Sequence, residues 1–510
     1  MFFGIFSIRS MRRKRRGLVA SFCAIAGLAP VRAVAASCES LTSLSIANTT
    51  IVSAAPVSAA ENVPQYCRVT ALAKPVNDSE IKIEIWLPAA PEWNGKFLGT
   101  GNGGYSGAIG YAEMRTALQQ GYATAGSNTG HDGGDLKFGA GHPEKIRDWA
   151  YRAVHVMTDA AKQVIRAYYE RAAAHSYFTG CSTGGHQALM EAQRYPADYD
   201  GIVAGDPGNN RIRLNAGFLW SWLAANKDAA NPLPASKLPL INRAVIEACD
   251  AIDGIKDGLI ADPRRCPFDP GALLCKEGDD ANCLTVSQVA AVRSIYGGAR
   301  NPRTGERVFA GWPRGSESLG GRGGGWGAYF VGQPEPARSD FWRTWVFDKP
   351  DWDPRSFDFD RDLTLADSKV GFVDANNPDL KAFESHQGKL LMYHGWADPV
   401  VPPDDAIRYY ETVAKAMGGP DRISSFIRLF MVPGMGHCGG GPGPNTFDAL
   451  GALDKWVTEG VAPQKIIASH STNGVVDRTR PLCSYPQVAR WSGEGSSDAA
   501  VQFVCAASGQ

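Results

Sequence analysis

The chain has 510 residues, 44% of them hydrophobic, with 52 basic and 52 acidic side chains and no low-complexity run. That composition is ordinary for a globular protein, and the length exceeds one usual core, so two domains or one domain with a large insertion are expected. Without residues 1–35 the balance is 45 Lys and Arg against 52 Asp and Glu, a net charge of −7, which argues against nucleic acid or an anionic membrane as partner.

Those first 35 residues read as a leader. Arg9, Arg12, Arg13, Lys14, Arg15 and Arg16 form a basic block, Leu18 to Pro30 an apolar run, and Ala33-Val34-Ala35 a small-x-small cleavage site. This is the pattern of a Sec-type signal peptide, and the run is too short to span a bilayer. The sequence therefore predicts an exported, soluble protein, periplasmic or secreted.

Ile81 to Leu87 alternates apolar and polar residues, as a half-buried strand does. Lys96 to Gly99 reads as a second strand running into the Gly-rich loop Thr100 to Tyr105. A third short strand, Tyr122 to Ala125, ends at Ser127, and Arg147 to Arg171 carries helical periodicity. Ser176 to Thr179 is β-prone and leads into Gly180-Cys181-Ser182-Thr183-Gly184-Gly185, which is followed by the helix formers His186 to Ala192. Strand, tight glycine turn and helix are the context of a nucleophile elbow. The Ser182 hydroxyl then stands at a helix N-terminus, where free N–H groups favour a developing oxyanion. Gly201 to Gly205 is another buried strand.

From about Asp206 to Glu384 the alternation breaks into a Pro-, Gly-, Trp- and Asp-rich stretch, and it resumes with a strand at Lys389 to Tyr393. A helix over Asp404 to Met417, a strand over Ser425 to Val432 and a helix over Thr446 to Glu459 complete the pattern. The predicted architecture is an α/β sheet domain in two parts, 36–205 and 385–510, split by an insertion at 206–384. That insertion sits above the C-terminal ends of the strands, where a site belongs, and can act as a lid.

An elbow serine needs a base, and the base needs an orienting carboxylate. Asp398 follows the strand at 389–393, and His437 follows the strand at 425–432, so the order serine, acid, histidine is met. Thr183, the residue after the nucleophile, supplies one oxyanion N–H by position. Gly103 or Gly104 in the early loop supplies the other. His394 is a candidate for lining the acyl pocket, with a core histidine at a strand end as the alternative.

Cys23 falls in the leader and leaves ten cysteines, an even count that reads as five disulfides in an exported protein. Cys249 with Cys266, Cys275 with Cys283, and Cys483 with Cys505 are close in sequence. Cys181 precedes Ser182 and Cys438 follows His437, so these two become neighbours if the triad forms. Cys38 and Cys67 then remain. In the insertion, Asp250, Asp253 and Asp257 place three carboxylates within eight residues of a Gly-containing loop, an oxygen donor set that suits calcium.

These marks resemble the tannase and feruloyl esterase family, over essentially the whole chain after the leader. They are Gly180 to Gly185, Tyr393 to Asp398, Pro433 to Cys438 and Arg478 to Cys483, with the Cys181–Cys438 pair flanking serine and histidine. The resemblance implies an α/β-hydrolase fold with a lid inserted between the nucleophile and the triad acid. It also implies a structural calcium held in that lid by Asp250, Asp253 and Asp257 with the carbonyls of Ile255 and Leu259. Members hydrolyse galloyl, hydroxycinnamoyl and mono(2-hydroxyethyl) terephthalate esters, so a small aromatic ester is the implied substrate, feruloyl esters first. The stretch Gly325 to Gly332 matches a substrate-facing part of the terephthalate-ester enzyme, which makes Tyr329 a substrate contact. The following Gln333 to Trp345 is shorter here, and Arg338 is the candidate for a carboxylate-binding arginine. The competing readings are a peptidase on the same fold and, in another class, a non-catalytic binder of phenolic polymers or carbohydrate.

Overall fold

A computed structural model describes Met1 and residues 37–507, apart from 61 and 321–323. The leader beyond Met1, residues 2–35, lies outside the described residues. The described residues from 37 to 507 form one compact unit. Its centre is a nine-stranded sheet of β1 (Thr49–Val57), β2 (Tyr66–Ala73), β3 (Ile81–Pro88), β4 (Lys96–Thr100), β5 (Ala123–Ser127), β6 (His175–Cys181), β7 (Gly201–Gly205), β8 (Lys389–Gly395) and β9 (Ile427–Val432). Their order across the sheet is β1-β2-β3-β5-β4-β6-β7-β8-β9. β1, β2, β3 and β5 pair antiparallel, and from β5 to β9 every pairing is parallel.

The parallel strands are covered on both faces, so their sequences read as continuous apolar runs. β7 (Gly-Ile-Val-Ala-Gly) and β9 (Ile-Arg-Leu-Phe-Met-Val) are buried throughout. One face packs on the helices Ala153–Tyr169, Thr183–Arg194 and Pro403–Met417. The other packs on Ala117 of the helix Tyr111–Gln119 and on Leu453 and Trp456 of Ala449–Glu459. β3 departs from the expected half-buried pattern, because only Lys82 is exposed. Its Glu84 is buried, with Arg68 Nε (2.9 Å), Trp86 Nε1 (2.8 Å) and the Tyr111 hydroxyl (2.8 Å) all donating to the carboxylate. A fully partnered carboxylate tolerates an interior that an unpaired one does not.

Between β7 and β8 the chain builds a second buried cluster on the helices Arg211–Ala225, Leu238–Cys249, Val286–Gly297 and Arg361–Val370. Trp222, Trp312, Trp326, Trp342 and Trp345 dominate it, and it extends to Tyr105 and Trp149 of the sheet portion. After β9, two antiparallel ribbons close the chain: β10 (Lys465–Thr472) with β11 (Val475–Cys483), and β12 (Gln487–Trp491) with β13 (Phe503–Ala507). All five disulfides are present, pairing Cys38–Cys67, Cys181–Cys438, Cys249–Cys266, Cys275–Cys283 and Cys483–Cys505. Among the described residues no helix is long and apolar enough to cross a membrane.

Candidate active site

β6 ends at Cys181, the helix begins at Thr183, and Ser182 makes the turn alone with φ +63° and ψ −114°. A non-glycine residue in that region costs on the order of 1–3 kcal/mol, so it must be held. The Ser182 N–H donates to the Gly205 carbonyl at 2.9 Å, and the Ser182 carbonyl accepts from His186 N–H at 3.0 Å and Gly208 N–H at 3.2 Å. The flanking glycines are a packing requirement. A Cβ on Gly180 would lie 2.5 Å from the backbone of Gly184, so strand and helix approach this closely only without side chains.

Three strand-end loops converge on the hydroxyl. His437 Nε2 lies 2.8 Å from Ser182 Oγ, and His437 Nδ1 lies 2.7 Å from Asp398 Oδ2. Asp398 is fully buried, and its Oδ1 accepts from Val400 N–H at 2.7 Å and Val401 N–H at 2.9 Å. Burial alone opposes its charge. His437 and His394 outweigh burial and hold the carboxyl well below the usual carboxylate range. An ionised acid therefore orients a histidine that can take the serine proton.

His394 corrects the sequence expectation, because it does not line the pocket. It is fully buried behind Asp398, with Nε2 2.9 Å from the Val401 carbonyl, 3.2 Å from Asp398 Oδ2 and 3.7 Å from Asp206 Oδ1. The strand-end position that sends Asp398 toward His437 sends His394, four residues earlier, into the interior. Burial lowers its pKa, but Asp206 and Asp398 overcome this and push it up to about 9. Asp206 is a residue that sequence reasoning missed. Its Oδ1 accepts from Gly395 N–H at 2.8 Å and its Oδ2 from Cys438 N–H at 3.2 Å, so one buried carboxylate ties the ends of β7 and β8 to the histidine loop. The available signal was its position directly after β7, equivalent to the position of a triad acid after a strand.

A cavity of about 650 Å³ opens on Ser182 and His437. Gly103, Gly104, Tyr329 and Arg338 line it, with Glu113 at the side of the early loop. Thr183 is fully buried, and its hydroxyl donates to the Gly104 carbonyl at 2.6 Å. Tyr329 stacks on Phe218 at 4.7 Å between centroids. The Arg338 guanidinium lies 5.2–5.5 Å from the rings of Phe218, Tyr105 and Tyr329, and its buried Nη1 has no hydrogen-bond partner. Aromatic walls with one free donor suit a planar acyl group bearing a polar substituent.

The aspartate loop lies in the insertion. Asp250 Oδ1 accepts from Asp257 N–H (3.0 Å) and Gly258 N–H (2.9 Å). Asp253 Oδ1 accepts from Ile255 N–H (3.0 Å), and Asp257 Oδ1 from Leu259 N–H (3.2 Å). Burial pushes the Asp253 carboxyl up, and the charges of Asp257 and Asp250 add to that shift. Arg480 is the counter-charge, donating to Asp257 Oδ2 at 2.6 Å. Three acids against one guanidinium leave negative charge and oxygen donors, a chemistry that fits a hard cation. Among the described residues these carboxylates do not gather within 4.8 Å of one another, as Asp206, His394 and Asp398 do. A cation here therefore needs backbone carbonyls as well.

Residues 67–506 match the family model described as tannase and feruloyl esterase. The chain is 38% identical to an uncharacterised esterase of Xanthomonas campestris pv. campestris, over 96% of this chain and 94% of that one. It is 34% identical to the mono(2-hydroxyethyl) terephthalate hydrolase of Piscinibacter sakaiensis, over 89% and 87%. The crystal structure of feruloyl esterase B from Aspergillus oryzae superposes with a TM-score of 0.85 at 30% identity, covering 92% of this chain and 99% of that one.

Proposed function

The chain belongs to the tannase and feruloyl esterase family, and on that premise we propose that it cleaves esters of aromatic acids through an acyl-serine on Ser182. It is a carboxylic ester hydrolase, with a small ester as substrate. The observation that carries the mechanism is the unbroken chain from Ser182 Oγ through His437 to Asp398, at 2.8 and 2.7 Å. His437 takes the serine proton as Oγ attacks the ester carbonyl. The N–H groups of Thr183 and of Gly103 or Gly104 receive the oxyanion. His437 then gives its proton to the departing alcohol, activates water for the second attack and returns the serine.

Feruloyl-type esters are the first substrate reading. A terephthalate monoester is the second, favoured by the partnerless Arg338 Nη1 and by the similarity to the Piscinibacter sakaiensis hydrolase. Turnover of methyl ferulate, methyl gallate and the terephthalate monoester, compared side by side, tests the assignment. Arg338→Met should cut kcat/KM for the anionic monoester by about tenfold or more, the loss of one charged hydrogen bond. It should cut that for methyl ferulate by much less. Equal losses on both would remove Arg338 as a carboxylate reader.

Calcium belongs to the same proposal. Asp250, Asp253 and Asp257 with the carbonyls of Ile255 and Leu259 would hold it as a structural ion in the insertion. There it would neutralise the crowded carboxylates. Binding only to the folded state adds about 2.7 kcal/mol when the ion is a hundredfold above its Kd. Chelation should therefore lower Tm, and Asp253→Ala should do the same without chelator. An unchanged melting curve in both, with no calcium found on metal analysis, would leave the loop an acidic turn. Export by the leader is supported by the five disulfides, and N-terminal sequencing of the secreted enzyme should read from residue 36.

A further inference from the structure

Arg211 takes no part in the proton transfers above, yet it is 1% exposed beside the site. It opens the first helix of the insertion, Arg211–Ala225. Its Nη2 donates to Thr183 Oγ1 at 3.1 Å. That hydroxyl has one proton, which it donates to the Gly104 carbonyl at 2.6 Å. The guanidinium also lies 5.5 Å from the Tyr105 ring and 5.3 Å from Trp149, two rings stacked on each other at 4.6 Å. Room is left for it by Gly208, where a Cβ would come 3.2 Å from Nη2.

This is a costly place for a cation. Burial pulls the Arg211 pKa down to about 10, the neighbouring Arg338 pulls the same way, and Nε has no hydrogen-bond partner. An apolar residue of similar length would stabilise the fold more cheaply. What Arg211 touches explains its presence. Thr183 and the loop of Gly103 and Gly104 are the two segments that supply the oxyanion N–H groups, and Thr183 and Gly104 lie 79 residues apart in sequence. Their donors must aim at one oxygen; the Thr183 hydroxyl bonds Gly104 directly, and Asn102, before Gly103, pairs with Gln187 one turn further along the elbow helix at 2.9 and 3.2 Å. With the guanidinium donating to Oγ1, the hydroxyl proton is left to point at the Gly104 carbonyl. Each bond polarises and strengthens the next.

We propose that Arg211 is a positioning residue for the oxyanion hole, fixing the Gly104 peptide against the start of the elbow helix through the Thr183 hydroxyl. This rests on the reading of Ser182 as nucleophile with Thr183 and Gly103 or Gly104 as donors. Because Arg211 belongs to the insertion, the lid helix becomes part of the hole's frame, and small esters that never reach the lid pocket depend on it too.

The test uses p-nitrophenyl butyrate as substrate and an aryl trifluoromethyl ketone as a tetrahedral-adduct probe. Arg211→Met should lower kcat by about 10- to 100-fold, as misplacement on the order of 1 Å does, with little change in KM. Affinity for the ketone should fall by the same factor, a response that loss of stability alone does not produce. Thr183→Val should behave likewise, and Thr183→Ser, which keeps the hydroxyl, should lose less. The double variant Arg211→Met/Thr183→Val should lose no more than the worse single one, because both cut one chain of bonds. Wild-type kcat and ketone affinity in Arg211→Met would overturn the proposal, as would losses that multiply in the double variant. If Arg211→Met does not fold, the two Thr183 variants decide, and equal losses from valine and serine would overturn it. Activity that survives Ser182→Ala would instead overturn the nucleophile reading underneath.

Discussion

Ser182→Ala should lose ester hydrolysis by at least about four orders of magnitude while folding normally. Removing a nucleophile that acts as a unit with its base costs about as much as removing the whole triad. Stability should hold, because the elbow is fixed by backbone bonds from Ser182 N–H to Gly205 and from His186 and Gly208 to the Ser182 carbonyl, none of which needs the hydroxyl. Alanine also occupies the same volume in the cavity, so a residual rate reports chemistry rather than access. The measurement is kcat on methyl ferulate beside a melting curve. Activity within tenfold of wild type would sink the assignment of Ser182, and a collapsed melting curve would show that the hydroxyl also holds the turn.

The triad was legible in the sequence because each member follows its own short apolar strand. Ser182 follows β6, Asp398 follows β8 and His437 follows β9, and a parallel sheet brings such strand ends to one edge. Of the antiparallel part, β3 was legible, but the edge strands β1 and β2 were not. β1 reads Thr-Thr-Ile-Val-Ser-Ala-Ala-Pro-Val, with small polar residues and a proline that blur alternation, and it forms because β2 pairs with it over its length. The ribbons β10–β13 escaped because only short parts of them are buried, Ile466 and Ala468 in β10, Arg480 to Cys483 in β11 and Phe503 in β13, too brief an apolar signal to announce a strand. Within the site, residues in or beside a motif were legible, whereas Asp206 and Arg211, placed there by tertiary packing, were not. Asp206 lies at a strand end where several roles are possible, and Arg211 is one arginine among many until the fold buries it beside Thr183. For His394 the sequence leaves a pocket-lining and a core position equally open, because a strand end alone does not say which way the side chain turns, and the fold buries it against Asp398.

Removing the bridge between Cys181 and Cys438 should cost more activity than stability explains. The two cysteines are 257 residues apart in sequence and both line the catalytic cavity. In the chain-entropy model so long a loop contributes about 5 kcal/mol, against about 3 kcal/mol for the remote Cys483–Cys505 pair, 22 residues apart. Both double alanine variants should therefore melt earlier. Only the central one should also free the His437 loop relative to Ser182. With the covalent tie gone, that loop is held to the interior near the elbow by Cys438 N–H donating to Asp206 at 3.2 Å, a modest bond for a displacement-sensitive contact. Drift on the order of 1 Å costs about a hundredfold in rate. Assayed well below either melting transition, Cys181→Ala/Cys438→Ala should lose about that much in kcat, and Cys483→Ala/Cys505→Ala should turn over nearly as wild type. Equal kcat in the two variants would reduce the central bridge to a staple, and the alignment of Ser182 with His437 would then rest on Asp206, Asp398 and the surrounding packing alone.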